Sequence, residues 1–400
     1  MKKRLVLLLV FILLFVNLNL ANAYAILYED QTKAIYAADV DTGLEFYKKN
    51  ENEALPIASM SKIMTYLLVM EEVKNGNISL NDEVKITKES AELNLFGYSR
   101  LELNEGEKVK LEDLIAGMMI ISGNDAANAI AIHTHGSLDK FVSKMNEKAK
   151  ELGLETANFV NPSGITEYPE DDKGEVKLNV MSAKDLYKLS VYVLNTYPEV
   201  MEYGKVETFN IPYRNYSAES TIPLGEIKSR IGLKTGSTPE ALFGYTALFD
   251  MKLDNENQDY KLISVVIGAE TKEVRDEVSR GVYNYVVNNY IMRTELNPNI
   301  PLIDKMDYTT NQREIPLYPE RSFKKLMPIR FFMDVEYTID ESKTAPYEDG
   351  EVLGQATLRY NGEVIDTINL INKEYIPKAT FIDNFLQSLV EFFDKLIFLF

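Results

Sequence analysis

Residues 56–70 read PIASMSKIMTYLLVM, and this stretch decides how the rest of the chain is arranged. Met60, Ile63, Met64, Leu67 and Leu68 recur at helical spacing, so a helix is expected from about Ser59. Residues i and i+3 of a helix share a face, so Lys62 stands beside Ser59 one turn away. A free lysine, with a pKa near ~10.4, is a poor base at neutral pH. Burial disfavours its charged form and lowers that value, which lets it take a serine proton. A serine at the start of a helix also has backbone N–H groups aimed outward, where an oxyanion would form.

Outward from that helix the pattern changes on both sides. Lys33–Ala38 and Leu44–Tyr47 are strand-like and joined by Asp41-Thr42-Gly43, a hairpin signal. Leu111–Ile120, Ala126–Ile132 and Leu138–Leu152 read as helices, the last stopped by Gly153. Strand character returns at Ile231–Thr235, Tyr245–Leu253 and Tyr260–Ile267, with a turn cluster at 254–257. A helix is expected from about Lys272 to Met292. Strands at both ends of the region and helices between them imply an α/β (α+β) domain over 24–294. In it an antiparallel sheet carries helices on its faces and an inserted helical cluster. Glu295–Pro301 reads as a linker. Val335–Ile339, Val352–Tyr360 and Glu363–Ile371 then point to a small all-β domain over 302–376. Asn361-Gly362 is its tightest hairpin turn.

Four hundred residues are too many for one ordinary core. The formal net charge of −18 argues against a nucleic-acid surface, which needs a basic footprint. The absence of cysteine excludes disulfides, thiolate metal sites and a cysteine nucleophile. His133 and His135 are the only histidines. They read as surface residues at a helix end, because a zinc site needs three or four convergent ligands. No metal is expected.

The two termini read as segments with separate tasks. Lys2, Lys3 and Arg4, the apolar run Leu5–Val16 and Ala21-Asn22-Ala23 form the three-part pattern of a secretory signal peptide over 1–23. The apolar run is shorter than the ~20 residues a spanning helix needs; an uncleaved anchor is the other reading. Cleavage takes three positive charges from the −18 and leaves −21. A secreted chain without cysteine is indifferent to oxidising conditions. At the other end, apolar residues at 382, 385, 386, 389, 390, 393, 396, 397 and 400 form one face of an amphipathic helix within 377–400. It either packs on its own protein or lies in a membrane interface. The phenylalanines at the end favour the membrane, and a polar face that is not basic places the binding in apolar burial.

Ser-x-x-Lys alone is a weak signal. It occurs at Ser59/Lys62, Ser137/Lys140 and Ser322/Lys325. Ser137 follows Gly136 and precedes an apolar periodic run, so it reads as a helix N-cap. Ser322 falls in the expected β-domain. Only Ser59 has company: Ser122-Gly123-Asn124 lies 63 residues on, and Lys234-Thr235-Gly236 a further 112. Ser-x-x-Lys, Ser-x-Asn and Lys-Thr-Gly in that order are shared by β-lactamases and penicillin-binding proteins.

The stretches PIASMSKIMT (56–65), SGNDAANAIA (122–131), NPSG (161–164) and KTGST (234–238) resemble the D-alanyl-D-alanine carboxypeptidases, the low-molecular-weight penicillin-binding proteins. The resemblance spans about 26–376, and the tail matches too. It implies a penicillin-binding domain followed by a β-rich domain, no cofactor, and β-lactams as inhibitors. It further implies that Ser59 forms an acyl-enzyme with Lys62 as general base and that Ser122 relays protons to the leaving amine. By the same resemblance, Asn124 bonds the substrate amide and Lys234 supplies positive charge near Ser122. Thr235 and Arg275 contact the substrate's terminal carboxylate, and the oxyanion hole is the N–H groups of Ser59 and Ser237. Apart from the resemblance, Arg275 reads as a solvated arginine at a helix start.

Two places depart from the family pattern. Residues 211–230 (IPYRNYSAESTIPLGEIKSR) replace an expected N-x-N-x-L, and Phe243 stands where alanine is usual before Gly-Tyr. The expected reaction is removal of the terminal D-alanine from peptidoglycan stem peptides, on the outer face of the cytoplasmic membrane. A β-lactamase and a catalytically inactive wall-binding module are the rivals. The extra β-domain and tail oppose the first; Ser59, Lys62 and Lys234 oppose the second.

Overall fold

Strands from the two ends of the first region do meet in one sheet. β1 (Ala34–Asp39) and β2 (Glu45–Lys49) form the N-terminal hairpin; β3 (Lys234–Thr238), β4 (Leu242–Asp250) and β5 (Lys261–Ala269) come from the far end. The order is β2-β1-β5-β4-β3, antiparallel throughout. Every residue of β1 is buried, because both faces of the sheet are covered. On one face lies α5 (Ala183–Thr196), where Tyr187 meets the Tyr36 ring edge-on at 5.2 Å and bonds Asp39 O. On the other lies α6 (Lys272–Asn289), which buries Val274, Val278, Val282 and Val286. The structure is a computed structural model that describes residues 26–95, 97–169, 174–223, 225, 227–383 and 385. The expected signal peptide and tail residues 384 and 386–400 lie outside the described residues.

The inserted helices form around α1 (Lys62–Lys74), in which Lys62 to Met70 are all buried. A helix buried on every side needs partners all round. They are α2 (Leu111–Ile120), α3 (Asn124–His135), α4 (Leu138–Glu151) and α5, which share one apolar core with α1. Ser137 caps α4, accepting from Lys140 N at 3.3 Å. His133 and His135 fall in the last turn of α3; one meets Asp82 at 3.3 Å and the other the Phe141 ring.

Several boundaries differ from the sequence expectation, three of them for reasons visible in the structure. The α-helix begins at Lys62, and Ser59 sits in a preceding 3-10 turn, Ala58–Ser61. The strand expected at 231–235 runs from Lys234 to Thr238 instead, since Gly232 adopts φ +69 and breaks the extended path. The helix expected to reach Met292 stops at Asn289, because Tyr290–Glu295 is captured as a strand by Phe323–Pro328.

The chain divides into two units, Met1–Asn288 and Asn289–Phe400. In the second, β6 (Tyr290–Glu295) pairs with β9 (Phe323–Pro328). A five-stranded sheet is built from β7 (Ile303–Met306), β8 (Glu314–Pro319), β12 (Glu363–Ile371), β11 (Val352–Tyr360) and β10 (Met333–Ile339), in that order. The β11–β12 turn has Asn361 at φ 49 and Gly362 at φ 84, as a two-residue hairpin requires. Sequence reading missed β7, β8 and β9 because Asp304-Lys305, Pro316 with Pro319, and Lys324-Lys325 respectively interrupt their apolar alternation.

Candidate active site

The three motifs converge on one cleft of about 550 Å³ in the first unit, lined among others by Ser59, Ser122, Asn124, Thr235, Ser237 and Arg275. The turn that carries Ser59 is held to the sheet by close packing that glycine alone permits. A Cβ on Gly236 would stand 2.6 Å from Ile57 O and 3.1 Å from Met60 N. The glycine of Lys-Thr-Gly therefore lets β3 lie directly against the turn that carries Ser59. Met60 anchors the same turn to the neighbouring strand of that sheet, its Sδ 3.5 Å from Thr246 Oγ1 on β4.

Lys62 is wholly buried behind Ser59. Its Nζ lies 2.9 Å from Ser59 Oγ, 2.7 Å from Asn124 Oδ1 and 2.6 Å from Ser163 O. Burial drives its pKa well below the usual lysine value, the charge of Lys234 pushes the same way, and Asp125 opposes. A neutral amine has two N–H donors and one lone pair. The carboxamide oxygen of Asn124 and the carbonyl of Ser163 can only accept, so they take both donors. The lone pair is left for Ser59, the one partner with a proton to give. Once protonated, the ammonium has an acceptor for each of its three hydrogens. This arrangement can hold Lys62 ready as a base and receive the proton at no loss of hydrogen bonding.

The Ser163 carbonyl is set by NPSG. Asn161 Oδ1 accepts from Gly164 N at 2.7 Å, Thr65 Oγ1 donates to Pro162 O at 2.7 Å, and Asn179 Nδ2 donates to Asn161 O at 2.8 Å. The motif was visible in the sequence; that its backbone oxygen would meet Lys62 was not.

Ser122 sits between α2 and α3 with φ 65, buried at the cleft wall. Asn124 N donates to Ser99 O at 2.9 Å, which ties the Ser-Gly-Asn loop to the segment carrying Tyr98 and Ser99. Buried Asp125 fastens that segment further by accepting from Leu101 N and Leu103 N. Arg214 pins it from outside, donating to Leu101 O, Glu102 O and Glu107. Arg214 lies in the stretch that departs from the family pattern. That stretch supplies the turn and second strand of a hairpin, Thr208–Ile211 with Tyr216–Glu219, and then lines the cleft with Ser220 and Thr221.

Lys234 is also wholly buried and donates to Thr235 O at 3.0 Å. Burial, followed by the charge of Arg275, pushes its pKa down to about 7. Arg275 is only 6 % exposed, so it is no solvated arginine. Its guanidinium lies 5.9 Å from the centre of the Tyr245 ring and bonds Asp276 at 2.9 Å. Ser237 is exposed on β3 and faces the cleft. Across the rim, Glu240 accepts from Thr166 Oγ1 at 2.6 Å and Tyr168 OH at 2.5 Å, closing one side of the mouth. Sequence reading gave no role to Thr221, Arg214 or Glu240; each acts through a partner distant in the chain.

Among the described residues no cluster of His, Cys, Asp or Glu could hold a metal ion. The sequence family described as D-alanyl-D-alanine carboxypeptidase matches residues 23–271. The D-alanyl-D-alanine carboxypeptidase DacF of Bacillus subtilis is 31% identical over 88% of this chain and 87% of its own length. Penicillin-binding protein 6B from Escherichia coli, 23% identical, superposes with a TM-score of 0.64 over 85% of this chain and 95% of its own, a likeness of fold. Penicillin-binding protein D2 from Listeria monocytogenes, solved in an ampicillin-bound form, is 30% identical with a TM-score of 0.54 over 64% of this chain and 96% of its own. A buried lysine with a single proton source, set in a cleft shared by all three motifs, thus coincides with a match across both units: the chain belongs to the D-alanyl-D-alanine carboxypeptidase family of penicillin-binding serine peptidases.

Proposed function

We propose that Ser59 attacks the penultimate carbonyl of a peptidoglycan stem peptide ending in D-Ala–D-Ala. The Ser59–acyl ester forms, the C–N bond breaks, free D-alanine leaves and water hydrolyses the ester. The observation that carries this reading is the partner set of Lys62, which leaves its lone pair to Ser59 alone. Lys62 takes the serine proton. Ser122 passes a proton to the leaving amine, Asn124 bonds the substrate amide, and the N–H groups of Ser59 and Ser237 hold the oxyanion. Thr235 and Arg275 read the terminal carboxylate, with Lys234 supplying charge behind them. β-Lactams acylate the same serine. The direct test is incubation with a D-Ala–D-Ala peptide and, separately, with penicillin: free D-alanine and a long-lived protein adduct are expected. Rapid turnover of penicillin would instead favour a β-lactamase.

The two lysines predict a pH profile. kcat/KM rises as Lys62 loses its proton. It falls as pH climbs through the Lys234 pKa, about 7 in the free protein, because the ammonium is the form the site uses. Arg275 disfavours that ammonium, so Arg275→Gln should move the falling limb to higher pH while weakening peptides with a free C-terminus. An unmoved limb would remove Lys234 from the profile.

The D-Ala–D-Ala bond belongs to the cell wall, so the chain acts outside the cytoplasm. We further propose that residues 1–23 are a cleaved leader and that the C-terminal helix lies on the membrane. Phe381, Ile382 and Phe385 are 84 %, 67 % and 57 % exposed, which supports an apolar face left uncovered by the described residues of its unit. No helix among the described residues is long and apolar enough to cross a membrane. The second unit holds the chain as far as Ala379, whose N–H donates to Thr309 O at 2.7 Å, so a truncation belongs after Thr380. The truncated protein should stay free of vesicles and keep its activity on soluble peptides. The full mature chain should sediment with vesicles even in high salt, where charge attraction is screened. Release by salt, or binding of the truncated form, would refute the apolar anchor.

A further inference from the structure

The side chain of Thr235, proposed above to read the substrate carboxylate, is committed elsewhere in the free protein. Its Oγ1 donates to Thr221 Oγ1 at 3.2 Å, with Thr221 O at 3.4 Å. Thr221 Oγ1 in turn donates to Ile120 O at 3.2 Å. Ile120 ends the helix that leads into Ser122, so this chain of hydroxyls joins the Lys-Thr-Gly strand to the Ser-Gly-Asn loop across the cleft floor. The Ile120 carbonyl is oversupplied: Thr221 N donates to it at 3.0 Å and Ser220 Oγ at 3.4 Å. An acceptor with two lone pairs and three donors can release one at little cost.

We propose that Thr221 is a positioning residue for carboxylate recognition, acting by reversal of this hydroxyl pair. When a carboxylate arrives opposite Arg275, the Thr235 hydroxyl turns to donate to it. Thr221 then turns its own hydrogen from Ile120 O to Thr235 Oγ1, and Ile120 O keeps the Thr221 N–H. Only the long 3.4 Å contact with Thr221 O is given up, at a half-buried residue that lines the cleft. The Thr235 O–H, now itself accepting a hydrogen bond, is polarised and donates more strongly. Thr221 lies in the stretch 211–230, which is hard to align with the family's usual N-x-N-x-L.

The inference rests on the peptidase reading and is tested against it with two peptides, one ending in free D-Ala–D-Ala and one in its C-terminal amide. Thr221→Val keeps the shape and removes the hydroxyl. It should raise KM for the free peptide about tenfold, the size of one hydrogen bond to a charged group, and leave the amide within about twofold. Thr221→Ser should restore the wild-type ratio, and Thr221→Ala should repeat the loss if valine disturbs folding. Equal losses on both peptides, or a serine variant no better than valine, would overturn the role. Wild-type protein that cleaves neither peptide would overturn the peptidase reading and this role with it.

Discussion

Ser59→Ala is expected to abolish covalent labelling by penicillin and to lower D-alanine release by on the order of 10⁵-fold, since loss of an activated serine nucleophile removes nearly all of the chemistry. The variant should still fold, because Ser59 is half-exposed at the cleft and, among the described residues, Lys62 is the partner its Oγ would lose. The two other Ser-x-x-Lys sites supply internal controls. Ser137 accepts Lys140 N as the cap of α4, so Ser137→Ala should keep full labelling and cost only about 1 kcal/mol of stability. Ser322 precedes strand Phe323–Pro328 in the second unit, with no helix to set Lys325 beside it, and Ser322→Ala should change neither. Mass spectrometry after penicillin treatment decides the matter: an adduct persisting in Ser59→Ala would place the nucleophile elsewhere.

Gly164→Ala is expected to damage stability and catalysis together. Gly164 adopts φ +79, and a Cβ there would overlap the Ala58 carbonyl and lie 2.9 Å from Ser61 Oγ. Ala58 immediately precedes Ser59, and its carbonyl also accepts from Ser61 Oγ at 2.7 Å. The obstruction is backbone and cannot swing away. A positive φ and an overpacked core together cost about 3 kcal/mol. Relief requires NPSG to withdraw from the Ser59 turn, taking the Ser163 carbonyl away from Lys62. A displacement near 1 Å lowers kcat by about 100-fold. Gly153→Ala separates the two causes. Gly153 also has positive φ, +65, but nothing lies within 4 Å of its Cβ position. It should cost about 1 kcal/mol and leave kcat unchanged. Equal behaviour of the two variants in thermal melts and in D-alanine release would show that the close approach at Gly164 carries no weight.

Much of the architecture was legible because it is written in short-range patterns. The periodicity of 60–68, the cap at Ser137, the Asn361-Gly362 turn and the strands at 352–360 and 363–371 each depend on neighbours within a few residues. Boundaries were less legible where a distant segment captures the chain. Tyr290–Met292 continues a helix by propensity and becomes a strand because Leu326–Pro328 lies beside it. Within the site, residue identities were readable but commitments were not. Arg275 read as either solvated or substrate-facing from sequence, and its burial against Tyr245 comes from the packing of α6 on the sheet. The loop 211–230 matched no pattern, yet its Arg214 and Thr221 are tied to residues about 100 positions earlier.

The order Ser-x-x-Lys, Ser-Gly-Asn, Lys-Thr-Gly by itself named side chains that the fold brings together, and the spacing of Ser59 and Lys62 already set one beside the other. What the tertiary structure alone decided is the state in which Lys62 waits there. Its low pKa comes from complete burial and from the charge of Lys234, far along the chain. The direction of its lone pair comes from Asn124 Oδ1 and Ser163 O, 62 and 101 residues away. A side-chain pair one turn apart is fixed by local geometry, whereas proton affinity depends on solvent exclusion and on every charge and acceptor within a few ångströms, and those neighbours are assembled only when the sheet, the inserted helices and NPSG close around the turn.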